Sequence, residues 1–164
     1  MSKRVLVLLL VITVLGSGCG KHVPEPVGVA RGVPHVSWVI MHGDSDNPDT
    51  EFACQSNPRN DCVVPASQPE SKVFSDVHFY YHGAGPQTRF TGTVNLGFLG
   101  ESPNSASFPV NATAEKTESI GYQSITGIVS STPGTYEVTI DVVGKVGETG
   151  KSEPVREKIA VVVR

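Results

Sequence analysis

Apolar and polar residues alternate with a period of two along much of this chain. Tyr136, Val138, Ile140 and Val142 alternate with Glu137, Thr139 and Asp141, and Phe90, Val94, Leu96 and Phe98 alternate with Thr91, Thr93 and Asn95. Val36, Trp38 and Ile40 alternate with Ser37 and Val39, and near the C-terminus Val155, Ile159, Val161 and Val163 fall on one face. Successive side chains of a strand point to opposite faces, so each segment predicts a strand with one face in a core. Weaker patterns predict further strands over 52–56, 63–67, 73–82, 108–114 and 120–130. Turn clusters rich in Gly, Pro, Asn, Asp and Ser begin at Gly43, Gly83, Gly100, Ser131 and Gly147. Helical periodicity is almost absent and no solenoid repeat occurs. The spacing predicts an all-β protein, an antiparallel β-sandwich of about seven to nine strands, over residues 35–164.

The N-terminus follows a different pattern. Lys3 and Arg4 precede an apolar run from Val5 to Leu15, the layout of a secretory signal peptide over residues 1–18. The run is too short to span a bilayer, which takes about 20 apolar residues. Ser17, Gly18 and Cys19 resemble the end of a bacterial lipoprotein signal, in which small residues precede the cysteine that is lipidated; the aliphatic residue of that pattern, Leu15, stands one place early, with Gly16 in its position. The resemblance implies a diacylglyceryl thioether on Cys19, usually with an acylated amine, and attachment to the membrane by lipid alone. Each buried methylene contributes about 0.8 kcal/mol, and stable anchoring needs more than one chain. Gly20 stands where such lipoproteins often carry an inner-membrane retention Asp, which implies the outer membrane, facing the periplasm or the surface. Gly16 and Gly18 also satisfy the small-x-small rule of ordinary signal peptidase, which would release a soluble protein with a free Cys19.

Cys19, Cys54 and Cys62 are the only cysteines, so lipidation of the first leaves one even pair. Between Cys54 and Cys62 lie Asn57, Pro58, Arg59, Asn60 and Asp61, residues that favour a chain reversal, and an oxidising envelope predicts a disulfide there. Residues 19–34 are rich in Pro and Gly without periodicity and predict a tether, reaching up to about 50 Å at roughly 3.3 Å per residue. Excluding Lys3 and Arg4 takes the formal charge from −3 to −5. A mildly acidic domain without a Lys/Arg run is a poor partner for nucleic acid.

The stretch from Thr132 through Pro133, Gly134, Thr135 and Tyr136 to Val142 resembles the Pro-Gly-Thr-Tyr turn and strand near the end of many bacterial immunoglobulin-like and fibronectin-like modules. The resemblance implies an immunoglobulin-like sandwich in which one more strand follows, and it implies nothing about function. The antibody pattern of a Trp between two distant cysteines is missing, because Trp38 precedes both Cys54 and Cys62; these stand too close in sequence to be expected to staple two sheets.

Two clusters are candidate sites. On a strand, His78, Tyr80 and His82 share one face, a candidate binding face, and Val77, Phe79 and Tyr81 share the other, a candidate core face. His42, Asp44 and Asp46, followed by Asp49 and Glu51, form an acidic loop whose oxygen density suits a cation, although Pro48 and Asp49 break the EF-hand spacing. A solvated sheet face and an ordinary Asx-stabilised turn account for the same residues. No catalytic motif is present, and no cofactor is implied. The expected function is a non-enzymatic, lipid-anchored bacterial envelope protein that binds a protein or glycan partner or serves as an accessory subunit. A metal-binding module using His42, Asp44, Asp46, His78 and His82 is the alternative, and a hydrolase with a spatially assembled site a more distant one.

Overall fold

Every predicted alternation folds as a strand in the computed structural model. Among the described residues there are nine, β1 (His35–Asp44), β2 (Glu51–Gln55), β3 (Cys62–Val64), β4 (Val73–His82), β5 (Thr88–Leu96), β6 (Ser107–Ala114), β7 (Ile120–Ile128), β8 (Gly134–Val146) and β9 (Ser152–Val163). The structure describes residues 33–44, 50–56, 59–85, 87–100, 107–114 and 120–164. The signal segment, Cys19, nearly all of the tether, Asp46 and Asp49 lie outside these residues.

The strands form two sheets, one ordered β2-β1-β4-β7 and the other β3-β9-β8-β5-β6. Their inner faces make one core, into which β1 sends Val36, Trp38 and Ile40, β4 sends Val77, Phe79 and Tyr81, and β8 sends Val138, Ile140 and Val142. Register places like with like: Trp38 stands beside Phe79 and Val138 beside Ile159. The ring of Tyr81 meets that of Phe90 on the opposite sheet at 5.3 Å. Its hydroxyl donates to Gln123 Oε1 at 2.7 Å, and Gln123 Nε2 donates to the Pro109 carbonyl at 3.1 Å, so a polar chain closes one side of the sandwich.

Two expectations need correction. The sandwich is not wholly antiparallel, since β3 runs parallel to β9, with Cys62 beside Val161 and Val64 beside Val163. The short Cys54–Cys62 bridge does link the sheets: Cys54 lies on β2 and Cys62 on β3, with Cα atoms 5.1 Å apart and both residues buried. Sequence distance misleads here because β2 and β3 are the facing edges of the two sheets, and a chain crossing from one to the other needs only a few residues.

Two positions in register with core residues depart from the apolar pattern, Glu157 partly buried and Gly92 exposed. Glu157 faces inward between Val155 and Ile159 on β9, where it accepts from Trp38 Nε1 at 3.2 Å and lies 3.7 Å from Arg59. Gly92 on β5 has φ of 148°, and a Cβ there would stand 2.2 Å from the Asp141 carbonyl oxygen, so only glycine allows β5 to approach β8 this closely. At the start of β8, Tyr136 folds back on its own turn. Its hydroxyl donates to the Thr132 carbonyl at 2.6 Å and lies 3.0 Å from Ser130 Oγ.

Candidate functional site

Alternation on β4 turns Phe74, Asp76, His78, Tyr80 and His82 to the outside of the four-stranded sheet, because the residues between them fill the core. Register then decides their neighbours. On one side β1 sets Met41, Val39, Ser37 and His35 beside Asp76, His78, Tyr80 and His82. On the other, β7 sets Ile128, Thr126, Ser124 and Tyr122 beside Phe74, Asp76, His78 and Tyr80. His78, Tyr80 and His82 therefore do share one outward face.

Several polar groups on that face engage one another. His78 Nδ1 hydrogen-bonds the Tyr122 hydroxyl, and the Tyr80 and Tyr122 rings lie 5.4 Å apart. Tyr122 itself is 54% exposed and forms the prominent edge of the cluster. Thr126 Oγ1 donates to Asp76 at 2.6 Å. His82 Nε2 lies 2.6 Å from Ser37 Oγ, and its ring stacks on His35 at 4.2 Å with planes 13° apart. His35 donates from Nδ1 to the Val33 carbonyl at 2.9 Å, and among the described residues its buried Nε2 has no partner.

Burial keeps the two β4 imidazoles of this face neutral at neutral pH. Burial pushes His82 down to about 4, helped by repulsion from His35. Burial also lowers His78, outweighing the attraction of Asp76. The result is a surface of aromatic rings, the neutral imidazoles of His78 and His82, hydroxyls and the single carboxylate of Asp76.

Two kinds of chemistry do not fit the geometry. Parallel stacked imidazoles hold their nitrogen lone pairs in separate parallel planes, so His35 and His82 cannot both reach one metal ion at about 2 Å. The Ser37–His82 contact has the atoms of a nucleophile and base, but Ser37 is buried, and among the described residues no carboxylate orients His82.

The other candidates lie elsewhere. His42 is seven residues along β1 from His35, about 23 Å at 3.3 Å per residue, so the structure does not bring His42 and His82 together. His42, Asp44 and Glu51 border a cavity of about 220 Å³ whose remaining lining includes Pro65, Ala66, Gln68 and Ser71. Among the described residues no group of three or more His, Cys, Asp or Glu is placed to hold a metal ion. Tyr122, His35 and Ser37 were missed as members of the face, because they join it through cross-strand register, for which the sequence carries no signal. Among known proteins, no family model matches the chain and no curated sequence matches it.

Proposed function

We propose that the chain is a lipid-anchored protein of the bacterial envelope, exported by residues 1–18 and held through Cys19, whose immunoglobulin-like sandwich binds a protein or glycan partner without catalysing a reaction. The observation that carries the binding role is the uncharged aromatic and imidazole face built by His78, Tyr80, His82 and Tyr122. Tyrosine offers rigid contact area with a polar tip, a combination favoured at recognition surfaces.

The immunoglobulin-like reading draws support from strand order. The run β1-β4-β7 corresponds to strands A, B and E of that fold, and β9-β8-β5 to strands G, F and C. The Tyr136 hydroxyl on the Thr132 carbonyl, at the start of β8, has the form of the tyrosine corner that such domains place at the start of strand F. The bridge differs in place, since it joins the edges rather than strands B and F.

Two measurements test the proposal. Intact mass of the protein extracted from membranes should show a lipid-modified Cys19, and an unmodified cysteine there ends the anchoring claim. Wild-type protein and Tyr122→Ala are then compared for binding to envelope glycans and extracted envelope proteins, with near-UV circular dichroism to check the fold. The expected result is a ligand whose affinity falls at least about tenfold in the variant, the loss of about 1.4 kcal/mol of contact. A ligand bound equally by both removes this face from the proposal.

A further inference from the structure

Exposed apolar side chains gather on the outer face of the four-stranded sheet. Of the six large apolar residues exposed among the described residues, four lie there: Phe52, Phe74, Tyr122 and Ile128. A contiguous group of this kind marks an interaction site. Register makes the group contiguous at the end away from His82. Ile128 stands beside Phe74, and in the adjoining row Phe52 stands beside Met41, Met41 beside Asp76 and Asp76 beside Thr126. With strands about 4.8 Å apart, a row across the four strands spans about 14 Å, the reach of roughly four extended residues.

One charge stands in this patch. Among the described residues Asp76 is the only Asp, Glu, Lys or Arg at an outward position of β1, β2, β4 or β7. It is half-buried, and Thr126 Oγ1 donates to its Oδ1 at 2.6 Å, which fixes the carboxylate on the sheet. A carboxylate has about four lone-pair sites, so this one bond leaves most of its accepting capacity to water.

The combination selects the chemistry of a partner. A neutral apolar surface laid over Phe74 and Ile128 would strip water from Asp76 and put nothing in its place. An acidic surface would be repelled as well. Sugar hydroxyls can donate to a carboxylate, but the Phe52, Phe74 and Ile128 side chains beside it would desolvate them without offering a hydrogen bond. A cationic side chain flanked by apolar ones meets both demands, because its charge replaces the lost water while its neighbours cover the apolar group. We propose, resting on the reading of this face as the binding surface, that the partner is a protein which seats a Lys or Arg on Asp76 and the apolar residues flanking it against Phe52, Phe74 and Ile128.

The test follows backbone amide resonances of the full chain in mild detergent during titration with three probes. Two are blocked tripeptides, Leu-Arg-Leu and Leu-citrulline-Leu, alike in shape and different in charge, and the third is the neutral oligosaccharide chitotetraose. The arginine peptide should shift the amides of Phe74, Asp76, Thr126 and Ile128 and bind at least about tenfold more tightly than the citrulline peptide. Asp76→Asn, which keeps an acceptor for Thr126, should abolish that preference while the remaining spectrum stays folded. The proposal is overturned if neither peptide shifts these amides, if wild type binds the two peptides equally, or if the preference survives Asp76→Asn. Shifts on this face from chitotetraose alone also overturn it, and they leave the binding surface itself standing. That surface fails instead under the Tyr122→Ala comparison, in which Asp76 is unchanged.

Discussion

Lowering the pH from about 7 to about 4 asks His82, stacked on His35, to accept a proton where burial and the neighbouring imidazole oppose it. His82 is pushed from 6.5 down to about 4, first by burial and then by His35. The unfolded chain protonates the same ring near its ordinary value of about 6.5. Above that pH both states hold the ring neutral and stability is unaffected. As pH falls from 6.5 towards 4 the unfolded state binds the extra proton, so stability declines, and the loss is complete below about 4. For a ring sealed from water a change of this size corresponds to about 3 kcal/mol. Water reaches His82, which is only half-buried, and screening reduces the expected loss to about 1–2 kcal/mol. His78 shifts in the same direction and adds to it. Urea unfolding across this range, on wild type and His82→Gln, isolates the contribution, because glutamine still offers Ser37 a hydrogen-bonding partner but does not titrate. The variant should lose about 1–2 kcal/mol less between pH 7 and 4. Parallel curves for the two proteins would refute the reasoning and assign acid sensitivity to other groups.

Glu157→Ala should cost about 1–3 kcal/mol by leaving the buried indole N–H of Trp38 without an acceptor, and Glu157→Gln should restore most of it; Trp38 is the only tryptophan, so its fluorescence during urea unfolding reports on this site directly. Tyr136→Phe removes the bonds to the Thr132 carbonyl and to buried Ser130, and should lower stability by about 1–2 kcal/mol in the same assay with the folded state's far-UV spectrum unchanged.

How much of this was legible beforehand depends on whether a feature is local. Period-two alternation placed the nine strands of the described residues, because burying one face of a sheet imposes that pattern on each strand separately. The start of β4 at Val73 and its end at His82 were both readable, since turn formers bracket an unbroken alternation. Which strands would neighbour one another was not readable. The parallel pairing of β3 with β9 joins residues about a hundred apart in sequence, and three residues of β3 carry no mark of direction. The same gap hid the site's composition. His78, Tyr80 and His82 could be assigned to one face from β4 alone, but His35 and Tyr122 reach them only through register. Glu157 ran against the pattern outright: a carboxylate in an inward position looks like an error in alternation until Trp38 and Arg59 are seen to satisfy it.

The two outer faces of the sandwich offer a physical reason to place recognition on the β1-β4-β7 side. The opposite face is laced with exposed ion pairs, Arg156 with Asp141 at 3.1 Å and Lys158 with Glu137 at 3.0 Å. Such pairs add little to stability, yet covering them with a partner would strip water from four charged groups, a cost that their mutual attraction does not fully repay. On the β4 side the imidazoles are held neutral, Asp76 is bound by Thr126, and Tyr122 already presents its ring to solvent. A partner that covers this face gains apolar contact and exchanges hydroxyl hydrogen bonds with water for equivalent ones, and it desolvates one carboxylate, Asp76, rather than four charged groups. Tyr122→Ala, which removes the exposed ring from this face and leaves the ion pairs of the opposite one untouched, should therefore weaken partner binding at least about tenfold, whereas Lys158→Ala should leave it unchanged.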